Sequence, residues 1–109
     1  MLYNAVYTVK DMKILVKPIQ FEWDRGNSNK NLIKHKVSDV ECEEIFFDDN
    51  KVVVKDALHS GREKRFIVLG KTKANRLLFT VFIIRNEKIR IISSRDINKK
   101  EMNLYEKKA

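Results

Sequence analysis

Arginines at the ends of apolar runs, two histidines and a few acids beside them are the residues of this 109-residue chain that could hold an anion or move a proton. Arg65 opens one β-branched run and Arg95 closes another. A guanidinium fork in such a place can grip a phosphate. The plainer alternative is a solvated sheet edge with salt bridges to Glu63, Asp56 or Asp96. His35 follows Lys34 at the end of a short predicted helix, and imidazole exchanges its proton near neutral pH. As a cation facing orphan helix carbonyls it would be purely structural. His59, beside Ser60-Gly61, reads as a loop residue and ranks below His35. Glu101 and Tyr105 stand four apart on the last predicted helix, so they could reach one target together or simply end an amphipathic helix.

These groups must be positioned by a small set of elements. Residues 1–19 form an N-terminal extension in which Tyr3, Ala5, Tyr7 and Val9 alternate as in an extra edge strand, with Met12 an alternative start before Ile14-Leu15-Val16. Pro18 favours an extended Lys17, and the main domain, 20–109, begins with a short strand through Phe21-Glu22-Trp23. Arg25-Gly26-Asn27-Ser28-Asn29 is turn chemistry, with Ser28 or Asn27 a cap for a helix from about Asn29 to His35. Ser38-Asp39-Val40-Glu41 has capping-box spacing, with Val37 and Cys42 at the staple positions, and opens a helix reaching Phe46 or Phe47.

Strands follow. Val52-Val53-Val54 and Arg65-Phe66-Ile67-Val68-Leu69 are β-branched or aromatic, and Leu77 to Ile84 meets Lys88 to Arg95 in a hairpin through Arg85-Asn86-Glu87. The nearly unbroken apolar run from Leu77 predicts a central strand covered on both faces. Asn98 with Glu101, and Ile97 with Met102, repeat the box and staple for a last helix. The predicted fold class is α+β, an antiparallel sheet with helices packed on it. Strand parity puts Glu63, Arg65, Ile67 and Leu69 on one face. It also sets Arg95 with Ile89, Ile91 and Ser93, and turns Arg90 away with Ile92 and Ser94 unless that strand bulges.

Composition narrows the class. Hydrophobic residues at 43% and charged residues at 35%, with 3 Gly and 1 Pro, describe a globular chain rather than a collagenous or low-complexity one. The 23 Lys and Arg against 15 Asp and Glu give a net charge of +8, a field that attracts a polyanion or an acidic protein. The single cysteine, Cys42, cannot close an internal disulfide, and no zinc, Walker, HExxH or EF-hand spacing occurs. No apolar run nears the roughly 20 residues needed to cross a bilayer, and residues 2–10 lack signal-peptide character. A cytoplasmic location without membrane contact is expected, with no metal and no cofactor.

Several pieces, in order, resemble one family. Phe21-Glu22-Trp23-Asp24, Asn31-Leu32-Ile33-Lys34-His35, Phe47-Asp48, Glu63-Lys64-Arg65-Phe66 with Gly70, Arg90-Ile91-Ile92-Ser93-Ser94-Arg95, and Glu101 with Tyr105 are similar to the BrnT toxins of bacterial type II toxin-antitoxin systems. The resemblance spans about residues 20 to 106 and rests on the ordered set rather than on any one piece. It implies a RelE-like small ribonuclease fold, RNA cleavage that arrests translation, and a cognate antitoxin. That antitoxin is usually a ribbon-helix-helix DNA-binding protein that blocks the site, so DNA is contacted only through it. Two departures stand out. Asn27 replaces a family lysine, leaving Lys30 as the nearest cation, and Lys36 replaces a glycine, which would displace the helix end beside His35.

Metal-free RNA cleavage needs a base for the ribose 2′-hydroxyl, an acid for the leaving 5′-oxygen and cations around phosphorus. On the resemblance, Arg65 and Arg95 stabilise the phosphate with Lys34 and Arg90 in support, while His35 moves the proton, with Glu63 or Tyr105 as alternatives. Two other readings remain: a non-catalytic basic module binding RNA or protein, and a degenerate toxin that keeps only antitoxin binding.

Overall fold

The computed structural model describes residues 6–7, 15, 19–56, 58 and 60–108. His59, Pro18 and all of the alternating N-terminal stretch except Val6 and Tyr7 lie outside them. Five strands form one antiparallel sheet in chain order: β1 (Val6–Tyr7), β2 (Val52–Asp56), β3 (Arg65–Lys71), β4 (Leu77–Arg85) and β5 (Lys88–Asp96). Among the described residues three helices, α1 (Lys30–His35), α2 (Asp39–Glu44) and α3 (Lys99–Lys108), join the sheet in an α+β fold, with a 3-10 turn Ile45–Phe47 continuing α2.

The apolar run from Leu77 is central and covered on both sides. Leu78 and Phe82 pack with Cys42, Ile45 and Phe46 below α2, whereas Leu77, Phe79 and Val81 pack with Leu104 and Tyr105 of α3. Leu15, from the N-terminal stretch, is buried in the α2-side core. Gly70 permits a close approach between layers, since a Cβ there would sit 2.7 Å from the Ile45 carbonyl oxygen. The β4–β5 hairpin turns on Asn86 and Glu87, with φ of 53° and 63°, the left-handed pair that matches strand twist. Arg85 pairs with Lys88, so the turn is shorter than the three residues expected.

Both capping boxes form. Glu41 N–H donates to Ser38 Oγ at 3.1 Å and Ser38 N–H to Glu41 Oε1 at 3.0 Å, while Asn98 and Glu101 exchange two bonds of 2.9 Å. Val37 and Cys42 are fully buried as the first staple, but Met102 of the second stays exposed.

Three local expectations fail. The predicted first strand is a single parallel bridge, Phe21 to Ile89, flanked by Glu22 N–H donating to Ile89 O at 2.8 Å. Neither Ser28 nor Asn27 caps α1: Asn29 occupies the cap without a side-chain bond, and Ser28 Oγ and the Asn29 N–H are drawn instead to the Asp39 carboxylate at the start of α2. Lys36 ends α1 in the left-handed conformation, φ 58°, that glycine would have supplied. Arg76 donates to the Lys36 and His35 carbonyls at 2.8 and 3.4 Å, so the helix closes in the left-handed geometry of glycine despite roughly 1 kcal/mol of backbone strain.

Candidate nucleic-acid interface

The face that each arginine occupies follows from strand register. Arg65 alternates with Ile67 and Leu69, which pack under α3, so it points to the α3 side of the sheet. On β5 the register slips between Val81 and Phe82: Val81 pairs with Ser93 and Phe82 with Ile91, leaving Ile92 as an extra residue. Simple parity is thereby overturned. Ile83 pairs with Arg90 and Phe79 with Arg95, so both arginines share the α3 side with Arg65, and Ser94 turns away to meet Thr80 through a 2.7 Å hydroxyl pair.

Sharing a face does not give these arginines the same freedom. Arg90 is buried and donates to Glu22 Oε1 at 3.0 Å and to both Asp24 carboxylate oxygens at 2.9 Å. This pairing holds the Asp24 carboxyl below its ordinary range. It also fastens the strap 20–24 to β5, where a Cβ on Gly26 would meet the Arg90 guanidinium at 2.7 Å. Arg95 forms a two-pronged pair with Glu101 at 2.9 and 2.8 Å, and its guanidinium lies 4.1 Å from the centre of the Phe79 ring. Glu101 and Tyr105 do not converge: the Tyr105 hydroxyl donates to Asp48 Oδ2 at 2.6 Å. Burial and that carboxylate push the phenol well above its usual range, so it stays protonated and anchors α3.

Arg65 differs. It is half-buried, and among the described residues no carboxylate forms an ion pair with it. Beside it, beyond the reach of α3, Arg62, Glu63, Ile83, Arg85 and Ile92 line a cleft of about 320 Å³. Arg85 bridges the exposed Glu63 at 3.0 Å and Glu22 at 3.7 Å. Arg62 and Arg85 were missed in the sequence because nothing ranked them above other surface cations. The signal available was parity, since Ile83 and Arg85 share a face on β4 and Ile83 lies at the rung of Arg65.

His35, Lys34 and Lys30 belong elsewhere. Their helix sits beside β5, tied by Asn31 Oδ1 accepting from Ser94 N–H at 2.9 Å. His35 lies near Asp96, whose carboxyl is lowered first by hydrogen bonds from Arg76 and more weakly by the His35 charge. Asp96 pairs with Leu78, five residues along β4 from the Arg65 rung at Ile83. That is roughly 17 Å along the sheet plus two strand spacings of about 4.8 Å. His35 and Arg65 therefore cannot serve one phosphate in this arrangement.

Asn27, which stands where a lysine was expected, is buried. It accepts from Asp24 N–H at 2.8 Å and donates to the Glu22 and Ile91 carbonyls at 2.9 and 3.2 Å. Asn27 and Asn31 thus satisfy the outer edge of β5 with side-chain amides where a further strand would have used backbone. Cys42 is no nucleophile: burial pushes its thiol up to about 11.

No curated protein matches the chain. A family model does, described as the ribonuclease toxin BrnT of type II toxin-antitoxin systems, over residues 23–101. That span runs from the strap that Arg90 fastens to the carboxylate that holds Arg95, and with it the chain belongs to the BrnT family of ribonuclease toxins.

Proposed function

We propose that this toxin is an endoribonuclease that cleaves RNA without a metal ion in the open cleft on the α3 side of the sheet. The observation that carries the reading is the company of Arg65: three arginines, with one exposed carboxylate, around an uncovered concavity. Arg65 and Arg62 hold the scissile phosphate, and Arg85 adds positive charge while orienting Glu63. Glu63 removes the proton of the ribose 2′-hydroxyl. The 2′-oxygen then bonds to phosphorus, the bond to the 5′-oxygen breaks, and that oxygen takes a proton from solvent. The products are a 2′,3′-cyclic phosphate and a 5′-hydroxyl. Proton transfer thus moves from His35 to Glu63, and Arg90, Arg95 and Tyr105 become positioning residues for the strap and α3.

Cleavage in the cytoplasm arrests translation, and a cognate antitoxin, a ribbon-helix-helix DNA-binding protein, neutralises the toxin and makes the DNA contact. The net charge of +8 supports capture of RNA and of an acidic antitoxin segment alike. The test is incubation of purified toxin with labelled RNA in EDTA and identification of the new ends. Cyclic phosphate ends that vanish with Arg65→Ala and Glu63→Gln are expected. Intact RNA with the parent protein, or equal cleavage by both variants, would overturn the assignment.

A further inference from the structure

We infer that the toxin carries a nucleobase subsite on the α2 side of the sheet, directly across the loop 61–64 from the phosphate cleft. The inference rests on the ribonuclease reading and adds a second contact to it. Arg65 and Phe66 are successive residues at the start of β3, so they point to opposite faces. The loop before them forms a wall between two concavities. On the α3 side lies the arginine-lined cleft; on the other, a concavity of about 380 Å³ is lined by Arg62, Glu63, Lys64, Phe66 and Ile84. Arg62 and Glu63 belong to both, so a strand crossing the loop would touch the two in turn.

The chemistry of the second concavity suits a planar heteroaromatic ring better than a phosphate. Its floor is apolar, made by Ile84, which is only partly buried, and by Phe66, a buried residue whose ring is fixed by stacking on Phe82 at 5.5 Å. Its rim carries the exposed Arg62 and Lys64, cations that can lie over a π-face or meet a ring carbonyl oxygen. A base of the nucleotide flanking the scissile phosphate would thus sit on an apolar floor under a cationic rim, as bases do in single-strand grooves. Neither Phe66 nor Ile84 takes part in the cleavage chemistry proposed above.

The experiment uses a 2′-O-methyl oligoadenylate hexamer, which cannot be cleaved through the 2′-oxygen, and its abasic counterpart with the same sugar-phosphate chain. Affinities for the intact protein are read by fluorescence anisotropy. The parent is expected to bind the base-bearing hexamer about tenfold more tightly than the abasic one. Ile84→Glu should bring that ratio to about one while its added charge weakens both oligomers alike, and Lys64→Ala, at an exposed position, should reduce the ratio about threefold even if Ile84→Glu folds poorly. Arg65→Ala should weaken both oligomers equally. A parent ratio of one, or a ratio that neither Ile84→Glu nor Lys64→Ala changes, overturns the subsite while leaving the phosphate cleft standing. Binding insensitive to Arg65→Ala, together with uncut natural RNA, would instead remove the ribonuclease reading beneath it.

Discussion

The two ends of the sheet treat their arginines in opposite ways. At the end where β5 runs into α3, Arg76 spans Asp96 and Glu41 at 2.7 and 3.1 Å, and Arg95 is gripped by Glu101. Every one of these guanidinium groups has its carboxylate, and each joins elements that would otherwise separate. At the hairpin end Arg85 is paired with Glu63 and Glu22, but among the described residues no ion pair holds Arg65, and α3 does not cover the cleft that the two share with Arg62. What an arginine does here is set by the carboxylates folded beside it rather than by its place at a strand end. The paired end holds the fold together, and the arginine-rich end is left with charge to offer a ligand. Arg90 shows that the boundary is sharp, since it shares a face with Arg65 and yet is locked by Glu22 and Asp24.

The widest separation between the ends should appear on exchanging activity for stability. Arg65→Ala is expected to lower cleavage by about 100-fold to 1,000-fold with little change in Tm. Arg90→Ala should do the reverse: leaving Glu22 and Asp24 without their cation costs about 2 kcal/mol, or a fall in Tm of roughly 8 °C by thermal unfolding. Equal melting temperatures for the two variants would erase the distinction.

Proton transfer sharpens the same contrast. Glu63→Gln should slow cleavage by about 100-fold or more, whereas His35→Ala, at the far end, should leave the rate within about threefold of the parent. Single-turnover rates on one labelled RNA decide between them. Acid sensitivity should come from the paired carboxylates, Asp24 on Arg90 among them, and not from the cleft. Glu41 is held below its ordinary 4.5 chiefly by the Ser38 N–H, with Arg76 assisting, and Asp96 below its ordinary 3.8 chiefly by Arg76. Carboxyls depressed in the folded state stabilise it fully above their ordinary values, and that stability drains away as pH falls through the depressed ones. Tm should therefore fall as pH drops below the ordinary values of 4.5 and 3.8, and Arg76→Gln should make that fall shallower. The smallest effect concerns Cys42: its thiol should resist alkylation in the native protein at neutral pH and react only on unfolding, as a thiol-reactive dye would report.

Much of the scaffold was legible from periodicity and caps. Ser38 with Glu41 and Asn98 with Glu101 placed two helix starts, and the unbroken run from Leu77 placed the central strand, because these signals are local. The proposed site was only partly legible. Arg65 and Glu63 could be named from their position at the start of a strand, but the fates of Arg90 and Arg95 turned on the extra residue Ile92 and on carboxylates, 66 residues away for Arg90 and six for Arg95. Parity rules fail wherever a bulge intervenes, and no local pattern announces one. In the sequence Asn27 shows only as a replaced lysine, because its burial against β5 depends on the Ile91 carbonyl, 64 residues away. Lys36 was read as an impaired helix end for a like reason, since Arg76, which satisfies the carbonyls there, lies 40 residues further along the chain.

The central claim is that chemistry belongs to the hairpin end of the sheet and not to the histidine end. Cleavage of one labelled RNA in EDTA by Arg65→Ala and His35→Ala, at equal concentrations of folded protein, tests it most directly. The expected result is a loss of at least about 100-fold for Arg65→Ala and near-parental activity for His35→Ala. Full activity in Arg65→Ala with a dead His35→Ala would contradict it and move the active site to α1.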